Sequence, residues 1–407
     1  MSSVSVATYP RPARLVSAVA TAVALCILGD SLLYSILPLE AARLGIPLAL
    51  VGVLLSANRL VRLATNGIAG MLFEQWGPHL AFLGACALGL FSTSLYGLSQ
   101  GFLLFLAARI LWGAAWSSLR QGGYQAVWSG EVAQKGRLTG LLWGIIRLGS
   151  AVAVLAGGVL YDRYGFRTTL FCVTAVTALA LPVAFLLPWP NQVAAMPAVS
   201  TRRVRWPQFW QDVATSLAEP RSRWLTLAGG LQLLSSSVVI ATSSLLLASL
   251  AGSDQAIVLL GIGTVAGLLQ GVRWLSDITI GPALGAFSDR VGQANLALAL
   301  ICLSVGSMVG LIVLPAWAAI FCLLLVLLCD SGLSVALSAA ATGVALHSDR
   351  PHLFIGVYTT ATDLGSALGP LFALSIGQAV GFTTLYVVIG ALCLGAVARF
   401  RWLARSA

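Results

Sequence analysis

Apolar runs of about 20 residues, each closed by a short polar turn, recur along almost the whole of this 407-residue chain. That length fits a helix crossing the hydrocarbon core of a bilayer, where a helix satisfies its own backbone amides without water. Six runs fall at about 14–38, 48–73, 79–98, 102–126, 138–160 and 168–188, and six more at about 224–249, 262–287, 294–315, 317–343, 355–376 and 383–402. Only 9% of residues are charged and 58% are hydrophobic, whereas a soluble domain is about one quarter charged. The chain therefore reads as an all-α polytopic membrane protein of about twelve transmembrane helices. Arg11 and Arg14 imitate the start of a secretory signal, but the apolar run behind them continues to Pro38 and reads as a retained first span.

A net charge of +10 could point to nucleic acid, but the basic residues are scattered among apolar runs instead of gathered on one solvated face. No nucleic-acid partner is expected. Lys135 is the only lysine, so nearly all basic groups are guanidinium forks, which suit bidentate pairing in poorly hydrated places. The seven cysteines all lie inside apolar runs and show no metal-ligand spacing. Neither a metal nor a cofactor is expected.

The longest polar stretch, residues 190–223, divides the chain into an N-terminal six-helix bundle (1–189) and a C-terminal six-helix bundle (224–407). Its "FWQDVATSL" reads as a short amphipathic helix on the membrane surface. With both termini cytoplasmic, the inner side carries fourteen basic residues, namely Arg11, Arg14, Lys135, Arg137, Arg202, Arg203, Arg205, Arg221, Arg223, Arg290, Arg350, Arg399, Arg401 and Arg405. The outer side carries Arg43, Arg163 and Arg167. The positive-inside rule then fixes a multi-pass topology, which places the chain in a cytoplasmic (inner) membrane, in contact with lipid.

The two halves repeat. "GMLFEQWG" (70–77) follows the second span and "GAFSDRVG" (285–292) the eighth, so that Gly70, Glu74 and Gly77 correspond to Gly285, Asp289 and Gly292 at an offset of 215. "GSAV" (149–152) and "GSAL" (365–368) repeat at an offset of 216, and "YGFRTT" (164–169) is echoed by "VGFTT" (380–384). The bundles are thus pseudo-symmetric.

These features resemble the major facilitator superfamily over essentially the whole chain. Gly285, Asp289, Arg290 and Gly292 carry that family's GxxxDRxG loop signature, while the N-terminal copy departs from it at Glu74 and Gln75. Arg109 and Gly113 in "RILWGAAW" and Pro38 in "LGDSLLYSILP" are similar to motifs of the proton-coupled drug-efflux branch. The antiporter signature of span five is damaged at Ala153 and Val154, while Gly365, Gly369 and Pro370 keep part of it in span eleven. The resemblance implies the major facilitator fold, alternating access, a small organic substrate exchanged for protons and a monomeric protein. It also implies that spans one, four, seven and ten line a central cavity, into which they bring Asp30, Arg109, Arg120, Gln121, Gln232, Ser235–Ser237 and Asp330.

Ionisable side chains at membrane depth are costly and mark functional sites. Six arginines (59, 62, 109, 120, 147, 273) face four aspartates (30, 277, 330, 363) within the spans. Asp30 and Asp330 have no basic residue one turn away on their own helices, and Asp30 with Arg109 is the first candidate for proton coupling. Arg59, Arg62 and Asn66 share one helical face, and Arg59, without an acidic counterpart in the other half, is expected to face the cavity. The two-charge excess of arginine leaves open an organic-anion exchanger. Trp112, Trp116 and Trp143 offer flat apolar surfaces or simply pack. "GLSQG" (97–101) imitates a hydrolase elbow but falls at a turn between spans, with His79, His347 and His352 at the opposite ends, so no enzyme is expected. A ligand sensor that moves nothing across the membrane is a further alternative, although no large soluble domain is there to relay a signal.

The offsets also reverse charge: Arg62 corresponds to Asp277, and Arg147 to Asp363. In the family's fold, span two meets span eleven and span five meets span eight, so the resemblance pairs Arg62 with Asp363 and Arg147 with Asp277 as an inter-bundle gate. The competing expectation is that Asp277 pairs with Arg273 one turn away. If the gate holds, Arg62→Asp and Asp363→Arg each lower transport by about fivefold or more, and the double variant recovers activity above either single one. Uptake of labelled substrate into vesicles checks this.

Overall fold

The computed structural model describes residues 12–129, 134–189, 211, 213–251, 259–279, 281–346 and 351–405. Its twelve helices are α1 Pro12–Glu40, α2 Leu48–Leu98, α3 Phe102–Trp128, α4 Lys135–Ala178, α5 Ala180–Phe185, α6 Pro220–Ala251, α7 Ile262–Thr279, α8 Gly281–Val291, α9 Gln293–Val313, α10 Ala316–Leu346, α11 Pro351–Val380 and α12 Phe382–Arg405. No strand occurs among the described residues.

Helices and spans do not correspond one to one. α2 holds the second and third spans and turns at Gly77 (φ 74°), just before Pro78. α4 and α5 hold the fifth and sixth, with the turn at Gly165 (φ 77°). The eighth span is divided between α7, which ends at Thr279, and α8, which begins at Gly281. Among the described residues, nine helical stretches are long and apolar enough to cross a membrane. One of them, Arg137–Phe185, covers two spans. Spans eight and eleven fall outside the nine, and these carry Arg273 with Asp277 and Asp363 with three nearby threonines. Together these account for the twelve runs. Most of the 190–223 linker, including Phe209, Trp210 and Asp212 of the expected surface helix, lies outside the described residues, as do Arg11, Arg202, Arg203, Arg205, His347 and Arg350; residues 213–216 are helical.

Two compact units emerge, one drawn from 1–33 and 57–202, the other from 34–56 and 203–407. In the first, Gly149 lets α4 approach α1: a Cβ there would lie 2.8 Å from Ala24 Cβ. In the second, the equivalent Gly365 lets α11 approach α6, and a Cβ there would run into the carbonyl oxygen of Gly230. The small-residue repeat seen in sequence thus makes the same close helix crossing twice. Within the second unit, Tyr34 Oη donates to Leu55 O at 3.1 Å, and a Cβ on Gly52 would lie 2.5 Å from Pro370 O.

The turns repeat as well. Gly45 and Gly261, Gly77 and Gly292, and Gly165 and Gly381 are 215 or 216 residues apart, and all six have positive φ, between 69° and 91°. A side chain is strained there, so glycine is kept at both copies of each turn. The core of the second unit is built around Leu225, Ile301, Leu337, Phe354, Val397 and Phe400, all buried.

A Gly365→Ala substitution pushes against backbone that has no rotamer to give, so it should lower unfolding stability by about 1–3 kcal/mol. Gly84→Ala, whose Cβ meets nothing within 4 Å, should be nearly neutral. Thermal unfolding of the two purified variants makes the comparison.

Candidate functional site: a buried acid in each unit

In the first unit, α1 presents Asp30 to α2 and α3. Arg109 Nη1 donates to Asp30 Oδ1, and Asn58 Nδ2 donates to the same oxygen at 3.2 Å. The Arg109 side chain is 0% exposed, whereas that of Asp30 is 14% exposed. The cation is sealed and the anion retains a route to its surroundings. Arg109 Nη1 also lies 3.4 Å from Tyr96 Oη, and its guanidinium carbon is 6.0 Å from the Tyr96 ring centroid. Tyr96 in turn stacks on Phe105, with centroids 6.1 Å apart. The second oxygen-bearing group in this node is Asn58 Oδ1, which is buried and has no partner.

In the second unit the acid is Asp330 on α10. Gln232 Nε2 donates to Oδ1 at 2.6 Å, Ser236 Oγ to Oδ2 at 2.6 Å, and Arg273 Nη2 to Oδ2 at 3.4 Å. Arg273 lies over Trp274, 4.8 Å from its centroid. Beside Asp330 a cavity of about 10 Å³, room for about one water, is lined by Gln232, Ser235, Ser236, Ser304 and Cys393 among others. Asp330 Oδ1 thus accepts from α6, and Oδ2 from both α6 and α7.

The two nodes use equivalent positions with different residues. Asn58 and Arg273 are 215 apart, and each reaches the acid of its own unit. Asp30 and Ser236 are 206 apart, as are Ala24 and Gly230, the contacts of the paired glycines. Each node therefore joins the first, second and fourth spans of its half.

The other expected site residues are more dispersed. Arg59, Arg62, Arg120, Gln121, Arg147 and Asp277 are half-buried, and Asp363 is exposed. Arg62 Nε donates to Asn58 O, at 3.1 Å on its own helix. Asp277 lines a cavity of about 190 Å³ with Ser276, Leu300, Leu325, Cys329 and Ser331. Arg273, the partner expected for Asp277 by spacing, instead contacts Asp330. Asn66 accepts from Ser117 Oγ at 2.8 Å, and Ser117 also meets Thr65. Trp112 and Trp116 are buried, their centroids 6.0 Å apart, and Trp116 is followed by Trp143 at 6.4 Å; the first two are packing. Of the loop motifs, Gly70 is half-buried on α2, Glu74 and Arg290 are exposed, Gly77 and Gly292 make turns, and Gly285 and Asp289 fall within α8. Asn58, Tyr96 and the Arg273–Asp330 contact are not evident from the sequence motifs. The 215 offset from Asn58 to Arg273 is the signal that could have found the first of them.

Removing one member of a buried ion pair leaves the other uncompensated. Arg109→Ala should therefore cost about 3–5 kcal/mol of stability, and adding Asp30→Asn should restore part of the loss. Denaturation of the single and double variants in detergent tests this.

Residues 19–277 match the family profile described as Major Facilitator Superfamily. Multidrug resistance protein MdtG of Salmonella paratyphi A is 24% identical over 377 residues, covering 89% of both chains. MdtG of Citrobacter koseri is 25% identical over 383 residues, 89% of this chain and 88% of that one. The rat chromaffin granule amine transporter is 28% identical over 156 residues, and the match spans 37% of this chain but only 29% of that protein. Among solved structures, the nucleoside transporter NupG superposes with a TM-score of 0.78 at 12% identity, covering 97% of this chain and 99% of that one. A bacterial homologue of the human lysosomal transporter Spinster gives 0.72 at 13% identity, with 98% of both covered. At those identities the structural likeness establishes the fold. Twelve spans, a repeated half and a profile match over more than half of the length agree: the chain belongs to the Major Facilitator Superfamily, and is a multi-pass membrane transporter, not an enzyme.

Proposed function

We propose that this transporter exports a small organic compound across the cytoplasmic membrane in exchange for protons, with both termini on the cytoplasmic side and Asp30 as the proton carrier. The observation that carries the reading is the asymmetry of the Asp30 node. A sealed Arg109 holds a partly accessible carboxylate, and an amide with an unsatisfied oxygen stands beside it. The multidrug-resistance relatives support efflux of an organic compound.

The node can serve both protonation states. With Asp30 charged, Oδ1 accepts from Arg109 and from Asn58 Nδ2. A proton arriving on the carboxyl turns one oxygen into a donor. Asn58 is an amide, with an acceptor and a donor at one end, and a half-turn of it presents Oδ1 to the new O–H. Arg109 then loses charge attraction on that side but keeps Tyr96 Oη within reach. Loading and release of the proton thereby change what holds α1 to α2 and α3, which biases the alternating-access equilibrium. Asp330, held by Gln232, Ser236 and Arg273, is the second carboxyl candidate for coupling, in the C-terminal half. Arg59, Arg120 and Gln121 are the substrate-facing candidates.

A second reading, exchange of an organic anion, is favoured by the excess of arginines over aspartates in the spans. Internal pH of proteoliposomes separates the two when cationic, neutral and anionic compounds are added without an imposed gradient. Efflux by antiport predicts proton movement that depends on one compound and vanishes in Asp30→Asn. Flat internal pH with exchange of a labelled anion selects the exchanger. Asn58→Leu should retain substrate binding while lowering coupled transport by roughly tenfold, and its pH–rate profile should shift relative to the parent protein.

A further inference from the structure

The second unit carries another polar site, away from Asp330. Where α6 and α9 begin and α12 ends, a cavity of about 220 Å³ is lined by Arg221, Arg401 and Arg405, with Gln293, Asn295 and Phe400. No carboxylate is among the residues that line it. Glu219, just before α6, accepts from Ser222 Oγ at 3.2 Å.

Three features point to an oxyanion. Arg401 Nε donates to Asn295 Oδ1 at 2.7 Å, and Asn295 Nδ2 is itself anchored to Val291 O at 2.9 Å. The plane of that guanidinium is thereby set, with its two terminal nitrogens left for a bidentate acceptor. Arg221 Nε is buried and has no acceptor, a gap that a bound group would fill. The 21-residue α9 starts behind Gly292 with no side-chain cap, and Gly292, Gln293 and Ala294 line the cavity, which brings the positive end of the helix dipole to it.

The surroundings suit a lipid. Val388, Leu392 and Trp402 are 50%, 58% and 57% exposed, and their spacing puts them on one face of α12. The helix that carries Arg401 and Arg405 therefore also presents an apolar face to acyl chains. Arg399 lies over Trp402, 4.2 Å from its centroid, an amphipathic pair of the kind suited to the headgroup region. We propose that this pocket binds the phosphate of an anionic phospholipid headgroup, tying together α6, α9 and α12 at the end of the bundle. Basic pockets between transmembrane helices are suited to such headgroups.

The test is native mass spectrometry of the full chain in detergent, titrated with phosphatidylglycerol and, separately, with phosphatidylcholine. The parent protein should retain phosphatidylglycerol in preference. Arg401→Gln with Arg405→Gln should weaken that retention roughly thirtyfold, whereas Arg163→Gln with Arg167→Gln, an equal loss of charge elsewhere, should not. If the glutamine pair does not fold, Arg401→Lys with Arg405→Lys keeps the charge without the forks and should still weaken retention severalfold. Equal retention by the parent protein and the 401/405 variants overturns the proposal. Protection by millimolar inorganic phosphate, without any by the lipid, overturns the lipid assignment and makes the pocket a soluble-anion site.

Discussion

An arginine with no exposed surface can exist inside a bundle of apolar helices only if its charge is answered at contact distance. Arg109 is answered by Asp30, and much of the first unit is arranged around that requirement. α1 must stand close enough to α3 for the ion pair to form, α2 must bring Asn58 to the same oxygen, and Tyr96 must cover the guanidinium. Small residues make the approach possible. A Cβ on Gly113 would lie 2.6 Å from Asn58 O, and one on Gly29 would lie 2.7 Å from a methyl group of Thr93. The glycine-rich composition is a condition for placing charge there, because only closely packed backbones bring side chains on three helices to one carboxylate.

The second unit meets the same requirement with a different distribution of residues. Its acid sits on α10, its arginine on α7, and α6 supplies hydroxyl and amide donors. Duplication thus preserved the meeting point of the first, second and fourth spans but not the chemistry placed there. The consequence is an asymmetry of contacts inside a symmetric frame. Asp330 receives donors on both oxygens, whereas both contacts to Asp30 converge on Oδ1.

Most of the fold was legible in the sequence, for physical reasons. Span length and hydrophobicity are imposed by the bilayer, so twelve runs could be counted before any contact was known. The 215-residue repeat marked the turns, and Gly77 with Gly292 indeed share a left-handed backbone. The site was less legible because its partners are far apart in sequence. Spacing along one helix offered Asp277 as one possible partner for Arg273, but it could not show that Arg273 reaches Asp330, 57 residues on. Asn58 drew no attention because it is uncharged and adjoins the more conspicuous Arg59 and Arg62. Trp112 and Trp116, open in sequence to either a ligand or packing, are buried with their ring centroids 6.0 Å apart. Pattern reports which face of a helix is unusual, whereas the identity of its partner depends on helix crossings that pattern does not encode.

The gate expected from charge reversal and the nodes seen within each unit draw on one set of helices. Asn58 binds Asp30 through its side chain and Arg62 through its backbone carbonyl. Arg273, its counterpart, binds Asp330 one turn from Asp277. In both halves, therefore, the residue that reaches the buried acid lies one turn from the residue whose charge reverses between halves. In the proposed mechanism, a change in protonation at Asp30 that turns the Asn58 amide acts on the helical turn that also carries Arg62. Coupling between a proton and a change of state needs one element whose arrangement both ends bias. The turn of α2 from Asn58 to Arg62 is positioned to be that element.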